Sequence, residues 1–120
     1  MKQQKQQQTT ATEKIKQLLQ AAEFQLGKIF NDKLKKIILF GSYSRGDYDN
    51  ESDVDVMVLI NDSNPNKYDD AILDMEVDLS ISFDIVLSVF VENDAEYEKA
   101  KGYKPFLKEI ENQGIEIYAG

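Results

Sequence analysis

The first periodic pattern along the chain is helical. Apolar residues recur every three or four positions between residues 15 and 29, which places them on one face of a helix. Thr10 or Thr12 can cap this helix, and the pair Asn31-Asp32 interrupts it. We therefore predict a helix over about 12–30. Residues 1–11 are rich in Gln and Lys and lack the apolar repeat, so we predict a flexible lead-in there.

Four short apolar runs after this helix predict β-strands. They cover residues 36–40, 53–60, 81–91 and 115–118. The first run ends at Gly41, and an apolar run bounded in this way is typical of a buried strand.

Other segments separate these runs. Helical spacing over 67–79 and 103–112 predicts two more helices, and residues 41–52 predict a loop with room for one helical turn. The order of elements predicts a single α/β or α+β domain over 12–120, with a small mixed sheet of about four strands covered by helices.

The composition excludes several kinds of active site. The 120 residues include neither cysteine nor histidine. A disulfide scaffold, thiol catalysis, a Ser-His-Asp triad and zinc sites built from Cys or His are therefore excluded. Acid–base chemistry must use carboxylates, Lys or Tyr. A metal site must use oxygen ligands, which suit magnesium, manganese or calcium.

The formal net charge of −8 is spread unevenly, with +5 over residues 1–36 and −13 over residues 37–120. The acidic body argues against direct nucleic-acid binding, and the basic first part leaves room for a contact with an acidic partner. The apolar runs are shorter than the ~18–20 residues of a membrane span. The first residues lack the apolar core of a signal peptide. We expect no membrane association and a cytoplasmic location.

Two aspartates interrupt the second apolar run. Side chains at positions i and i+2 of a strand point to the same face, so Asp53 and Asp55 lie side by side. A carboxylate pair on an apolar strand is unfavourable unless a cation compensates, and Arg45 is the only arginine. A divalent cation, Mg²⁺ or Mn²⁺, is the simplest compensation.

Asp84 is the one acid within the third run. If that strand lies beside the second, Asp84 completes a three-carboxylate cluster with Asp53 and Asp55. Three acids around two metal ions ~3.5–4 Å apart serve in-line phosphoryl and nucleotidyl displacement. Asp84 is then the candidate general base for an acceptor hydroxyl. The alternative, an edge-strand charge that faces water, stays open.

Gly41 and Ser42 follow the first run. A glycine at a strand end lets the backbone approach a ligand closely, and a helical turn that starts there offers free N–H groups to an anion. The Ser42 hydroxyl can donate to a β- or γ-phosphate, although a role as a turn cap stays open. Arg45 is a further candidate for nucleotide binding, or it pairs with a loop acid such as Asp47 or Asp49.

The segments G-S-Y-S-R-G at 41–46 and S-D-V-D-V at 52–56 resemble the signature of the minimal nucleotidyltransferases, a family of the DNA polymerase beta-like superfamily. Ten residues separate Ser42 from Asp53, as is usual in that family. The resemblance implies a nucleotidyltransferase-like fold, a phosphate-binding role for Ser42, metal ligation by Asp53 and Asp55, and the third-acid role for Asp84. It assigns no clear role to Arg45.

By this resemblance, the expected activity moves AMP from ATP to a hydroxyl group with two Mg²⁺ or Mn²⁺ ions. Such proteins are commonly antitoxins that adenylylate a tyrosine of a HEPN-type toxin. Larger relatives use a second domain to shape the acceptor site. We therefore expect a partner protein, or a second copy in a homo-oligomer, to supply that surface.

Two alternatives to this function stay open. The domain could bind a nucleotide or a partner without catalysis, and a lost motif residue would favour that reading. None of the four motif residues Ser42, Asp53, Asp55 and Asp84 is lost. The acceptor of a nucleotidyltransferase could also be a small molecule, since the sequence specifies neither the acceptor nor the base.

Overall fold

The computed structural model describes the backbone of residues 2–120 and the side chains of residues 12–120. Five helices and four strands make up this part of the chain, with short 3₁₀ turns at Asn31–Lys33 and Pro65–Tyr68. In chain order the elements are α1 (Lys2–Phe30), β1 (Leu34–Phe40), α2 (Ser42–Arg45), β2 (Val54–Ile60), α3 (Asp69–Phe83), β3 (Leu87–Asn93), α4 (Asp94–Ala100), α5 (Pro105–Gln113) and β4 (Ile115–Ala119).

The four strands form one mixed sheet in the order β3-β2-β1-β4. Strand β1 pairs antiparallel with β2 and with β4, whereas β2 and β3 are parallel. The parallel pair requires a crossover, and α3 provides it. The predicted mixed α+β sheet of about four strands is confirmed.

Alternating side chains of the strands build two separate cores. Val54, Val56 and Val58 of β2 face one layer, which contains α1 and α3. Met57 and Leu59 face the other layer, which contains α4 and α5. Because strand side chains alternate between the faces, the even and odd positions of β2 contact different helices. Asp53 and Asp55 are odd-numbered, like Met57 and Leu59. Their side chains therefore lie on the α5 side of the sheet.

Helix α1 covers the predicted span 12–30 and begins ten residues earlier, at Lys2. Gln and Lys favour helix, and neither Gly nor Pro interrupts residues 2–26. The side chains of residues 1–11 lie outside the described part, so their predicted role as a lead-in remains a prediction. Within residues 2–120, no helix combines the length and apolar character needed to cross a lipid bilayer.

The boundary between α3 and β3 differs from the prediction. Residues 81–83 continue α3, and β3 begins only at Leu87. Ile81 contributed to the apolar run that predicted a strand, but its side chain is 77% exposed on the helix. Asp84 ends the helix in the left-handed region at φ 55°, a conformation that Asp tolerates better than most residues. The prediction that Asp84 lies within a strand is therefore wrong.

Candidate functional site

Gly41 and Asp55 bring the two halves of the sequence motif into contact. Phe40, the last residue of β1, pairs in register with Asp55 of β2. Gly41 has a φ of 77°, and a Cβ atom placed on it would collide with the Oδ2 atom of Asp55. Only glycine fits this position without strain, both for its backbone conformation and for its close approach to the carboxylate. The turn after β1 and the Asp55 carboxylate of β2 thus form one site.

The turn after Gly41 is a single helical turn, as the sequence predicted. The carbonyl oxygen of Gly41 accepts hydrogen bonds from the amides of Ser44 and Arg45, at 3.1 and 3.2 Å. The Ser44 hydroxyl also donates to this carbonyl, at 2.9 Å. Gly46 ends the turn at a φ of 86°. A helix start leaves its first amides without intrahelical acceptors, so the N–H groups of Ser42 and Tyr43 can receive an anion.

Asp53 and Asp55 differ in their surroundings. Asp53 immediately precedes β2 and is exposed, whereas Asp55 is half-buried on the strand. Burial raises the pKa of the Asp55 carboxyl above its usual value, the negative charge of Asp53 raises it further, and the Arg45 guanidinium opposes both effects. The two residues are two positions apart, so their side chains lie on the same face of the sheet.

Arg45 lies at the rim of the site and pairs with two acids. Its Nε atom donates to Oδ2 of Asp47 at 3.2 Å, and its Nη1 atom lies 3.8 Å from Oε1 of Glu109. The predicted pairing with a loop acid is confirmed for Asp47. Both partners are exposed, so these ion pairs contribute little to stability, and nucleotide binding by Arg45 stays a prediction.

Asp84 lies outside this arrangement. It lines a separate hollow of about 190 Å³ together with Glu51, Ser52 and Ser80. Within residues 12–120, the structure forms no group of three acids suited to hold a metal ion. The expected cluster of Asp84 with Asp53 and Asp55 therefore does not form. Its place at the end of α3 instead of on a strand is the physical reason.

Gly41, Ser42, Arg45 and Asp55 of the motif segments line a hollow of about 280 Å³. The other lining residues come from the end of β1 and from one side of α5. The full lining is Phe40, Gly41, Ser42, Arg45, Asp55, Phe106, Glu109, Ile110 and Gln113. The sequence predicted a helix over 103–112 without assigning it to the site, whereas Phe106 of this helix is 50% exposed beside the hollow. A sequence motif could not reveal the role of α5, because α5 lies about fifty residues after the aspartates.

The donor set suits a hard divalent cation. Asp53 and Asp55 supply carboxylate oxygens, and the Ser42 hydroxyl lies in the same hollow as Asp55. Oxygen donors are those that Mg²⁺ and Mn²⁺ prefer, and Mg²⁺ commonly takes one or two carboxylates together with substrate phosphates. The two aspartates therefore fit such an ion bound together with a phosphate ligand.

Comparison with known families agrees with this geometry. The model of the nucleotidyltransferase domain matches residues 15–116. This chain belongs to that family. The match includes the Gly41 turn, both aspartates and α5, and the chain is accordingly a nucleotidyltransferase.

Two similar proteins are candidate protein adenylyltransferases of Methanocaldococcus jannaschii. One is 39% identical over 92 residues, covering 77% of this chain and 87% of the relative. The other is 32% identical over 90 residues, covering 74% of this chain and 83% of the relative.

A crystal structure of a toxin–antitoxin with AMP-PNP contains a similar chain. It superimposes with a TM-score of 0.55 at 25% identity, covering 82% of this chain and 73% of the other. The predicted resemblance to antitoxins with a minimal nucleotidyltransferase domain is confirmed.

Proposed function

We propose that this nucleotidyltransferase transfers AMP from ATP to a hydroxyl group of a partner protein. The observation that carries the proposal is the contact between Gly41 and the Asp55 carboxylate. This contact brings an anion-binding turn and the Asp55 carboxylate into one hollow, and Asp53 lies two residues before Asp55. The names of the relatives as candidate protein adenylyltransferases support a protein acceptor. The similar chain in a toxin–antitoxin structure with AMP-PNP supports ATP as the donor.

The turn at α2 binds the triphosphate in this proposal. The amides of Ser42 and Tyr43 and the Ser42 hydroxyl donate to oxygens of the β- and γ-phosphates. Arg45 lines the same hollow and adds a positive charge at its rim. Without a cation, the ionised aspartates repel the triphosphate, so binding depends on charge compensation.

Asp53 and Asp55 would hold Mg²⁺ or Mn²⁺ in the proposed complex. Such an ion, when bound, neutralises charge on the triphosphate and on the leaving pyrophosphate. The proposal leaves Asp84 out of the ligand set because it lies at the end of α3 and lines a separate hollow. The sequence analysis expected two metal ions because it assumed that three acids cluster. Since the three acids do not cluster, that argument for two ions no longer applies.

The proposed reaction is an in-line displacement at the α-phosphorus of ATP. The acceptor oxygen forms a bond to this phosphorus, and the bond from the phosphorus to the oxygen that bridges to the β-phosphate breaks. The proton of the acceptor hydroxyl leaves to solvent, and pyrophosphate carries away the electron pair of the broken bond. The chain contributes binding and orientation of the donor, and the partner contributes the hydroxyl.

We further propose that the partner is a HEPN-type toxin, that its hydroxyl belongs to a tyrosine, and that this chain is the antitoxin. The similar chain from a toxin–antitoxin structure supports this partner class. The cytoplasm remains the proposed location.

A transfer assay tests the proposal. The protein is incubated with α-labelled ATP, Mg²⁺ and the purified toxin encoded beside its gene. We expect label on the toxin and release of pyrophosphate, with neither in EDTA. Asp53→Asn or Asp55→Asn should lower the rate at least about a hundredfold, the scale for loss of a charge-stabilising group.

Glu116→Gln is the matched control, because it removes one exposed carboxylate from β4, two strands away from β2. It should leave the rate unchanged. A different result would favour a non-catalytic binding module. In that case the wild type never labels the toxin, and both Asp variants still bind it tightly and neutralise it.

A further inference from the structure

One side of α5 lines the hollow, and Ile110 on that side also belongs to the core. Phe106, Glu109, Ile110 and Gln113 follow the spacing i, i+3, i+4, i+7, which places them on one side of the helix. All four line the hollow together with Ser42 and Asp55. The family motif uses none of these α5 residues, so their chemistry is unassigned.

The first feature of this side is an exposed aromatic surface. Phe106 and Phe90 pack against Phe40 with ring centroids 5.6 Å away in each case, and against each other at 6.2 Å. Phe40 is 8% exposed, whereas Phe90 and Phe106 are 42% and 50% exposed. Exposed aromatic rings next to a polar hollow are typical of a binding surface. A flat aromatic ligand can stack on such rings.

The second feature is a pair of polar side chains next to the ring. The Glu109 carboxylate accepts hydrogen bonds, and the Gln113 amide both donates and accepts. Glu109 forms a long ion pair with Arg45, at 3.8 Å, and it is largely exposed. These groups can pair with the exocyclic amine and ring nitrogens of a purine base.

The third feature is the position of the rings relative to the phosphate turn. Phe40 immediately precedes Gly41 and pairs in register with Asp55. The aromatic surface therefore starts next to the phosphate and metal positions. A nucleotide extends from its phosphates through the sugar to the base, so a nucleotide with its phosphates at the turn can place its base on this surface.

We infer that the α5 side of the hollow binds the adenine base of ATP, with the base stacked on Phe106 and its edge paired with Glu109 and Gln113. This inference rests on the proposed function, since it assumes that the phosphates bind at Ser42. The rival occupant is the aromatic ring of an acceptor tyrosine.

Two probes separate base binding from phosphate binding. Calorimetry with Mg²⁺ measures the affinity for ATP and for inorganic tripolyphosphate, which lacks a base. Phe106→Ala should weaken ATP binding about 5- to 150-fold, the range for loss of one base–aromatic stack. It should leave the affinity for tripolyphosphate unchanged. Phe106→Tyr keeps the ring and should restore ATP binding.

Phe24→Ala is the matched control, since it removes an aromatic ring that is 66% exposed on α1. It should change neither affinity. Gln113→Leu should reduce the preference for ATP over GTP, because it removes a group that reads the edge of the base.

Four results would overturn the inference. Equal loss of ATP and tripolyphosphate binding in Phe106→Ala would show damage to the site and not loss of a stack. If Phe106→Ala leaves the ATP affinity unchanged and raises the KM for the toxin, the Phe106 ring binds the acceptor and not the base. If the wild type binds neither probe, the proposed function fails together with the inference. If ATP and tripolyphosphate bind equally in every variant, only the base site fails.

Discussion

Burial and the charge of Asp53 raise the pKa of the Asp55 carboxyl, so its ionised form is disfavoured in the folded protein. Between the ordinary Asp pKa of 3.8 and the raised folded value, the folded state binds more protons than the unfolded chain. Stability therefore falls as the pH rises through this window. We expect Asp55→Asn to raise the melting temperature at pH 7 and to remove this part of the pH dependence.

Thermal unfolding from pH 3.5 to 8 measures this effect in the absence of divalent cations. Glu116→Gln, which removes an exposed carboxylate, serves as the control and should leave the melting temperature close to that of the wild type. A lower melting temperature for Asp55→Asn at pH 7 would instead assign the ionised carboxylate a structural role.

Gly41 gives a second prediction at this scale. Gly41→Ala introduces a methyl group against the Asp55 carboxylate and forces a non-glycine residue to a φ of 77°. We expect a loss of about 1–3 kcal/mol in the free energy of unfolding, the usual cost of such backbone strain, and a strong loss of transfer activity. Urea unfolding and the labelling assay measure the two effects.

Gly27→Ala is the control for this substitution. Gly27 lies within α1, and a Cβ atom there would meet no described atom within 4 Å apart from the adjacent backbone of its own helix. Alanine at a helical position should stabilise the protein by about 0.5–1 kcal/mol. Equal effects of the two substitutions would contradict the special role of Gly41.

Residues within one motif could be predicted from the sequence, and residues that meet only through tertiary structure could not. Gly41 directly follows β1, and Asp55 lies on the adjacent strand β2. Because these two strands are consecutive in the sequence, their contact could be predicted from the motif. Phe106 reaches the same hollow because α5 packs under β1, and nothing near residue 106 in the sequence indicates that contact. The place of Asp84 depended on where α3 ends.

At the scale of elements, α3 completes the edge of the sheet. The Glu76 carboxylate accepts a hydrogen bond from the amide of Val89 at 2.7 Å, and the Ser80 hydroxyl accepts one from Leu87 at 2.9 Å. Both amides belong to β3, the edge strand beside β2. These bonds satisfy donors that an edge strand otherwise leaves unpaired.

Glu76→Ala should therefore cost about 1.5–3 kcal/mol in the free energy of unfolding, the range for a hydrogen bond to a charged group. Asp78→Ala removes an exposed carboxylate from the same helix and should change stability by less than about 0.5 kcal/mol. Chemical denaturation measures both. A similar small effect for the two variants would show that water replaces the Glu76 bond.

The same two bonds explain why the prediction of strand 81–91 was wrong in its first half. Hydrophobic pattern alone assigned Ile81, Phe83 and Ile85 to a strand. The helix continues instead, because Leu79 remains in the core and Ser80 is bonded to β3 from the helix. The strand β2, by contrast, was predictable to within one residue, since apolar side chains on both of its faces are buried.

At the scale of the whole molecule, the two faces of the sheet carry different surfaces. The hollow lies on the side of α4 and α5. On the other side, α3 exposes an apolar row at i, i+4 and i+8, formed by Leu73, Val77 and Ile81. Exposed apolar patches of this kind commonly mark protein contacts. The helix contains five acids and no basic residue, so the surface is complementary to a partner with apolar and basic side chains.

We expect the proposed toxin partner to bind this row, which leaves the hollow free to receive the hydroxyl to be modified. Val77→Asp combined with Ile81→Asp should weaken toxin binding by about 30-fold or more, the scale of an interface hot spot. ATP affinity should be unchanged because α3 lies on the opposite face of the sheet. Binding should also weaken at higher salt, since the acidic residues around the row attract a basic surface.

Titration of the toxin by calorimetry measures these effects, and light scattering tests for self-association. Lys99→Asp is the control, because it places a new acid at an exposed position of α4, away from the apolar row. Toxin affinity that is unchanged in the double variant would assign the partner surface elsewhere. A wild-type dimer that the double variant dissociates would show that a second copy covers the row. The protein with the acceptor hydroxyl would then bind to a dimer. It would approach from the opposite face of the sheet, where the hollow lined by Phe106 and Asp55 stays accessible.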